Sequence, residues 1–231
     1  MKYMGSKRKL VKEILPIMLK QRKPNQCWVE PFVGGGNVIQ HVDGPRIGVD
    51  CNRYAIEALI SIRDNVDLLP KNNAEFTESD YKKLRHSDDY RFKGFAGFAY
   101  SYGGKWLGGW SRDAHGARDY VAEAYRSAKI QSPLISNAVF IHADYGDTPL
   151  SDPSVIYCDP PYKNCTGYGD FDHTCFWECV RVWWAEGHTV FVSEYSAPED
   201  FTCIWSKAVH SSLTSDTGSK IGVEKLFTLT P

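Results

Sequence analysis

The sequence predicts a Rossmann-like, doubly wound α/β fold with an inserted, partly helical lobe. Short apolar strand-like runs alternate with amphipathic helical stretches towards both ends of the chain. The first of those strands opens into a glycine turn, Gly34-Gly35-Gly36, and later ones end on acidic residues, as open parallel sheets that bind ligands do. Between the two regular stretches, residues 64–133 break the rhythm for too long to be a loop of a compact domain.

Residues 7–20 read as a helix: Leu10, Val11, Ile14, Leu15, Met18 and Leu19 recur at spacings of three and four, with lysines on the other face. A strand at 26–30 stops at Pro31. After the glycine turn a helix is expected to start near Asn37, a residue suited to the N-cap. Residues 47–50 form a second strand and 53–63 a helix with Ala55, Ile56, Leu59 and Ile60 apolar. Charges, aromatics and glycines dominate the stretch that follows, notably 93–98 and 102–110. Strands return at 138–142, 155–158 and 189–193, with a helix at 174–186 between the last two. Residues 221–229 read as a final strand, antiparallel and at the sheet edge.

At 231 residues, 42% hydrophobic and 24% charged, the chain suits one α/β domain with a modest insertion. It has no apolar run of about 18 residues, and its basic start leads into an amphipathic pattern, so the expected location is the cytoplasm. Seven scattered cysteines read as free thiols. Cys175 and Cys179 lie near His173, but no C-x2-C pair occurs, and small buried residues are expected there instead of a metal site. A net charge of −1 excludes a global basic field. Locally, Tyr81 to Arg118 holds eight basic residues against three acidic ones, a patch suited to nucleic acid.

The chemistry concentrates in Asp159-Pro160-Pro161-Tyr162. A buried strand delivers Asp159 at its carboxyl end, and two prolines fix the backbone and remove two donors, leaving carbonyls facing outward. This suits a planar exocyclic amine such as N6 of adenine, whose lone pair is delocalised into the ring. The Asp159 carboxylate and the Pro160 carbonyl could each accept one N–H, favouring a pyramidal nitrogen, while Tyr162 stacks on the base. A donor with an already activated methyl would then need alignment more than chemistry.

Two further segments fit a cofactor. In Glu30-Pro31-Phe32-Val33-Gly34-Gly35-Gly36 the glycines permit close backbone approach. The dinucleotide fingerprint is incomplete, because its third glycine position falls on Ile39. Asp50, ending the next strand, is placed to take ribose hydroxyls. Tyr3-Met4-Gly5-Ser6-Lys7 is either a solvated basic arm or a cofactor contact, with Lys7 meeting a carboxylate and Tyr3 packing on the ligand.

This set, with Gly48-Val49-Asp50-Cys51-Asn52 and Tyr157 through Tyr162, resembles the Dam-like (alpha-group) DNA adenine-N6 methyltransferases of bacteria and phages. The order matches too: cofactor motifs, then an insertion, then the catalytic loop. The resemblance implies an S-adenosylmethionine-dependent methyltransferase fold. Residues 1–63 would form its cofactor-binding part, 64–133 a target-recognition insertion and 134–231 the part carrying the catalytic loop. It implies S-adenosylmethionine as cofactor, lined by Tyr3, Lys7, Glu30, Pro31, Phe32, Gly34, Gly36, Asp50 and Asp159, with Asp144 near its adenine. Double-stranded DNA is the implied partner, with no metal and no membrane, for a monomer or weak dimer. Phe191-Val192-Ser193-Glu194-Tyr195 resembles a later motif in which the family more often has Asn where Glu194 stands. Family members that methylate GATC carry an Asn-Arg pair in the insertion; the related stretch here, 97–106, lacks that Arg, so the resemblance does not extend to GATC. Lys93, Lys105 and Arg112 are candidates for phosphate or base contacts. Tyr168 and Phe171 could support a flipped base or belong to a lid or the core.

Other classes fit less well. No proline precedes a cysteine, as a cytosine-C5 enzyme's nucleophile would require, and a nicotinamide dehydrogenase has no use for Asp159 to Tyr162. A non-catalytic DNA-binding module would not need a cofactor loop. Amino methylation of RNA or protein, or of cytosine N4, remains the alternative; the basic, aromatic insertion favours adenine in DNA.

Overall fold

Alternation of apolar side chains along short strands builds a single seven-stranded sheet with two buried faces. The structure is a computed structural model that describes residues 1–20, 22–113, 115–150, 152–163, 171–210 and 221–230. The strands are β1 (Trp28–Glu30), β2 (Arg46–Asp50), β3 (Val139–His142), β4 (Val155–Cys158), β5 (Thr189–Glu194), β6 (Phe201–His210) and β7 (Ile221–Leu229). Their order is β3-β2-β1-β4-β5-β7-β6. The first five are parallel, and β7 is antiparallel to both β5 and β6. The order matches the six-strand doubly wound arrangement with one antiparallel strand let in near the edge.

The pleat sorts the core. Trp28, Tyr157, Phe191 and Leu226 face one side; Val29, Ile156, Cys158, Val190, Val192 and Phe227 face the other. On the first side lie α1 (Val11–Leu19), α2 (Arg53–Asp64), α3 (Glu78–Lys83), α4 (Tyr90–Ala99) and α5 (Tyr120–Leu134). The second side is covered by α6 (His173–Ala185) through Phe176, Trp177, Val180 and Trp183. Strands so placed are buried on both faces, which explains their near-continuous apolar runs. Complete burial of a side chain such as Phe191 contributes roughly 1.5–3 kcal/mol.

Several expectations change. The helix expected from Asn37 is a single 3-10 turn, Ile39–His41. Asn37 does not cap it; its side-chain amide donates to the Met1 carbonyl at 3.0 Å. Few residues separate Gly36 from the exposed Asp43-Gly44-Pro45 turn, where Gly44 has φ 78°, so no longer helix fits before β2. The first helix divides into a 3-10 turn, Lys7–Lys9, and α1. The C-terminal strand is antiparallel as expected but interior, because β6, which the sequence pattern did not reveal, takes the edge. A bulge between Cys203 and Trp205 explains the omission, since it breaks the alternation.

The segment between α2 and β3 shares its core with the helices below. Phe76, Phe95, Phe98 and Tyr100 join Leu59 and Ile62 of α2 in one cluster. Among the described residues no helix is long and apolar enough to cross a membrane.

Candidate active site

The chain runs β1, β2, β3 in one direction and then returns to β4 on the other side of β1. The crevice at the carboxyl ends of β1 and β4 is therefore the switch point, where sheets of this type bind ligands. Glu30 ends β1 there, and Asp159 follows β4.

All four residues of β4 are buried, so the strand delivers Asp159 from a rigid base. The lysine of the N-terminal segment meets it. Gly5, at φ 76°, turns the chain, and Ser6 caps the 3-10 turn by accepting the Arg8 N–H. Lys7 then points inward and is 7% exposed. Its Nζ lies 2.8 Å from Asp159 Oδ1 and 3.7 Å from Glu224 Oε2, and 4.5 Å above the centre of the Tyr162 ring. Burial opposes the lysine's charge, but Asp159 and Glu224 outweigh it and hold the ammonium's pKa above its ordinary value. Burial pushes the Asp159 carboxyl up, and Lys7 pulls it back.

Tyr162 is buried and donates its hydroxyl to Glu224 Oε2 at 2.7 Å. Tyr195 meets it edge-on, with ring centres 4.7 Å apart. Glu194, at the end of β5, holds the next residue: one carboxylate oxygen accepts the Lys163 N–H at 3.0 Å and the other the Tyr195 N–H at 2.7 Å. Burial pushes the Glu194 carboxyl up to about 6. A cleft of about 440 Å³, lined by Lys163, His173, Trp177, Arg181 and Glu194 among others, flanks this loop.

The glycine turn sits at the neighbouring strand ends. Gly34 and Gly36 have φ of 48° and 66°, values that L side chains rarely adopt. The Gly34 N–H donates to Asp50 Oδ2 and the Asn52 N–H to Oδ1, both at 2.8 Å, which orients the carboxylate. Tyr3 lies across this turn: a Cβ on Gly34 would stand 2.9 Å from its ring. Glu30 accepts the Trp28 indole N–H at 2.8 Å, and burial pushes its carboxyl up to about 8. Phe32 stacks on Tyr145 at 5.4 Å and meets Phe171 and Phe176 by their edges. Asp144 is exposed and caps the turn after β3 by accepting the Gly146 N–H.

The fold thus gathers Asp159, Tyr162 and Lys7 into one cluster and Gly34 with Asp50 and Tyr3 into another. Lys7 is paired with the Asp159 carboxylate, a partner that spacing did not suggest. Pro160 is buried and Pro161 partly so. Glu224 escaped sequence reasoning because it stands in no recognisable motif. Phe171 belongs to the aromatic cluster around Phe32, and Tyr168 lies outside the described residues.

The three basic candidates of the insertion separate. Lys105 is exposed. Arg112 is exposed but pairs with Glu78 through both its Nε and Nη2. Lys93 is a correction: it was expected among the exposed contacts, but it is buried, and its Nζ donates to the carbonyls of Arg85 and Ser87, both at 3.0 Å, so it braces the turn before α4. Among the described residues no group of His, Cys, Asp or Glu is placed to hold a metal. There Cys175 is exposed and Cys179 half-buried, where both were expected to be buried.

Known proteins similar in sequence are DNA adenine methyltransferases. The model of the D12 class N6 adenine-specific DNA methyltransferases matches residues 3–94. DNA adenine methylases from two strains of Vibrio cholerae serotype O1 are each 28% identical over 191 residues, covering 74% of this chain and 67% of theirs. Among solved structures, a candidate methyltransferase of Escherichia coli covers 96% of this chain and 86% of its own at 10% identity, with a TM-score of 0.42.

Proposed function

We propose that the chain acts as an N6 adenine-specific DNA methyltransferase like those of the D12 class, whose model it matches over residues 3–94, and that its residues divide the work of that reaction. The reaction moves a methyl group from S-adenosylmethionine to N6 of adenine in DNA. One observation carries the assignment of roles: the Asp159 carboxylate stands at the switch point, beside a tyrosine ring and a buried ammonium.

The donor set suits the cofactor. Asp50, oriented by two backbone N–H groups, would hold the ribose hydroxyls. Phe32 and Tyr145 offer an aromatic surface for its adenine, and the turn at Gly34 and Gly36 lets the backbone come close. Tyr3 lies over that turn. S-adenosylmethionine would supply a methyl already activated on a sulfonium. The chain's own tasks are alignment and handling of a proton.

On the target side, Asp159 and the Pro160 carbonyl each accept one N–H of the adenine amine, and the Tyr162 ring stacks on the base. The amine loses one proton as it gains the methyl, and Asp159 accepts it. Burial, which raises that carboxyl's affinity for protons, supports the role. Lys105 is the insertion's candidate for a phosphate contact on double-stranded DNA. The enzyme works in the cytoplasm as a monomer or weak dimer.

The test is methyl incorporation into duplex DNA, mapped at base resolution. Asp159→Ala should abolish transfer while DNA binding survives. Full activity in that variant would remove Asp159 from the reaction.

A further inference from the structure

We propose that Glu224 is a positioning residue of the catalytic loop, serving as the anchor of the Tyr162 hydroxyl and as a second seat for the Lys7 ammonium. The inference rests on the amino-methyl-transfer reading of Asp159.

The fold brings Glu224 to the site by strand direction. The parallel strands β1, β4 and β5 all end at the edge that holds Asp159. Because β7 runs against β5, its first residues reach that same edge; Lys225 sits opposite Glu194, the last residue of β5. Glu224 precedes it by one position and points to the catalytic loop, with its side chain 14% exposed.

Three charged groups then share a small space. Lys7 lies 2.8 Å from Asp159 Oδ1 and 3.7 Å from Glu224 Oε2, and that same Glu224 oxygen accepts the Tyr162 hydroxyl at 2.7 Å. The contact to Asp159 is a close ion pair, while that to Glu224 is a longer one just beyond hydrogen-bond reach. In the structure Lys7 therefore stands against the carboxylate that must accept an amine N–H. An ammonium this deeply buried needs a counter-ion wherever it moves. Glu224 supplies one within less than 1 Å of further travel, as the difference between a hydrogen bond of about 2.8 Å and the present separation indicates. Its hold on Tyr162 keeps the stacking ring in place during that exchange.

Steady-state methylation of a duplex substrate separates this role from a structural one. Glu224→Gln keeps an acceptor for the tyrosine hydroxyl and removes the charge; Glu224→Ala removes both. We expect kcat to fall in the order wild type, Gln, Ala, with the Gln variant down about tenfold or more, in keeping with loss of a charged hydrogen-bond partner. KM for DNA and calorimetric affinity for S-adenosylmethionine should stay within roughly threefold of wild type, the sign of an interaction used after binding. Wild-type kcat in Glu224→Gln overturns the proposal. So does a loss of kcat matched by an equal loss of donor affinity or of folded protein by thermal melting. If the wild-type enzyme itself leaves adenine unmethylated, it is the reading of Asp159 that fails.

Discussion

Glu30 shows how a single buried carboxyl writes itself into the stability curve. It is 2% exposed, accepts one hydrogen bond from Trp28, and is pushed by burial up to about 8 from an ordinary 4.5. Near neutral pH it is therefore mostly protonated in the folded chain and ionised in the unfolded one. The stability it contributes is full below about pH 4.5 and is lost as pH rises through about 8. Glu30→Gln, neutral at every pH, should flatten that decline. Urea midpoints between pH 5 and 9 test it, and an unchanged slope in the variant would show that Glu30 ionises freely. Glu194 has a different task at the same scale. Its two oxygens take the N–H groups of Lys163 and Tyr195, so it joins the end of β5 to the catalytic loop. The sequence marked this position as a departure from the family pattern, and the contact that explains it appears only in the fold.

At the scale of elements, α4 shows what glycines can do inside a helix. Gly94 and Gly97 belong to the glycine-rich part of the lobe expected to be partly helical, and both lie inside a helix. Their spacing of three puts them on one side, where the helix approaches its neighbours closely. A Cβ on Gly94 would stand 2.4 Å from the Tyr54 carbonyl oxygen of α2, and one on Gly97 2.3 Å from the Trp106 ring. Helix propensity alone would make Gly94→Ala stabilising by about 1 kcal/mol. The collision is with backbone, which cannot step aside, and overpacking of this kind costs typically 1–3 kcal/mol. We expect packing to win, with net destabilisation by roughly 1–2 kcal/mol in chemical denaturation. A more stable variant would mean that α2 and α4 lie farther apart than described.

Across the whole molecule, the near-zero net charge conceals a segregated one. The basic stretch of Tyr81 to Arg118 is partly spent within the fold: Arg112 on Glu78, Arg118 on Glu123, Lys93 on two carbonyls. Exposed Lys105 is the candidate of the three that remains available to a phosphate. Lys105→Ala should weaken DNA binding at every sequence and reduce the slope of log affinity against log salt by about one. Lys93→Ala should leave that slope alone and cost about 1–3 kcal/mol in stability, because two buried carbonyls lose their donor. A slope unchanged in the Lys105 variant would move the DNA contact away from this residue.

The succession of the five parallel strands, the buried runs of β4 and β5 and the delivery of Asp159 by a strand end were all legible in the chain, because each is set by neighbours within about ten residues. So was the chemistry of a carboxylate, two prolines and an aromatic ring at that strand end. What Lys7 pairs with, where Glu224 comes to rest and which of the insertion's lysines reaches solvent were decided by the tertiary structure. Lys7 and Glu224 are brought together from opposite ends of the sequence, through an antiparallel strand whose edge partner is hidden by a bulge. Local periodicity carries the direction of a side chain from its own element. It does not carry which distant element will be waiting there.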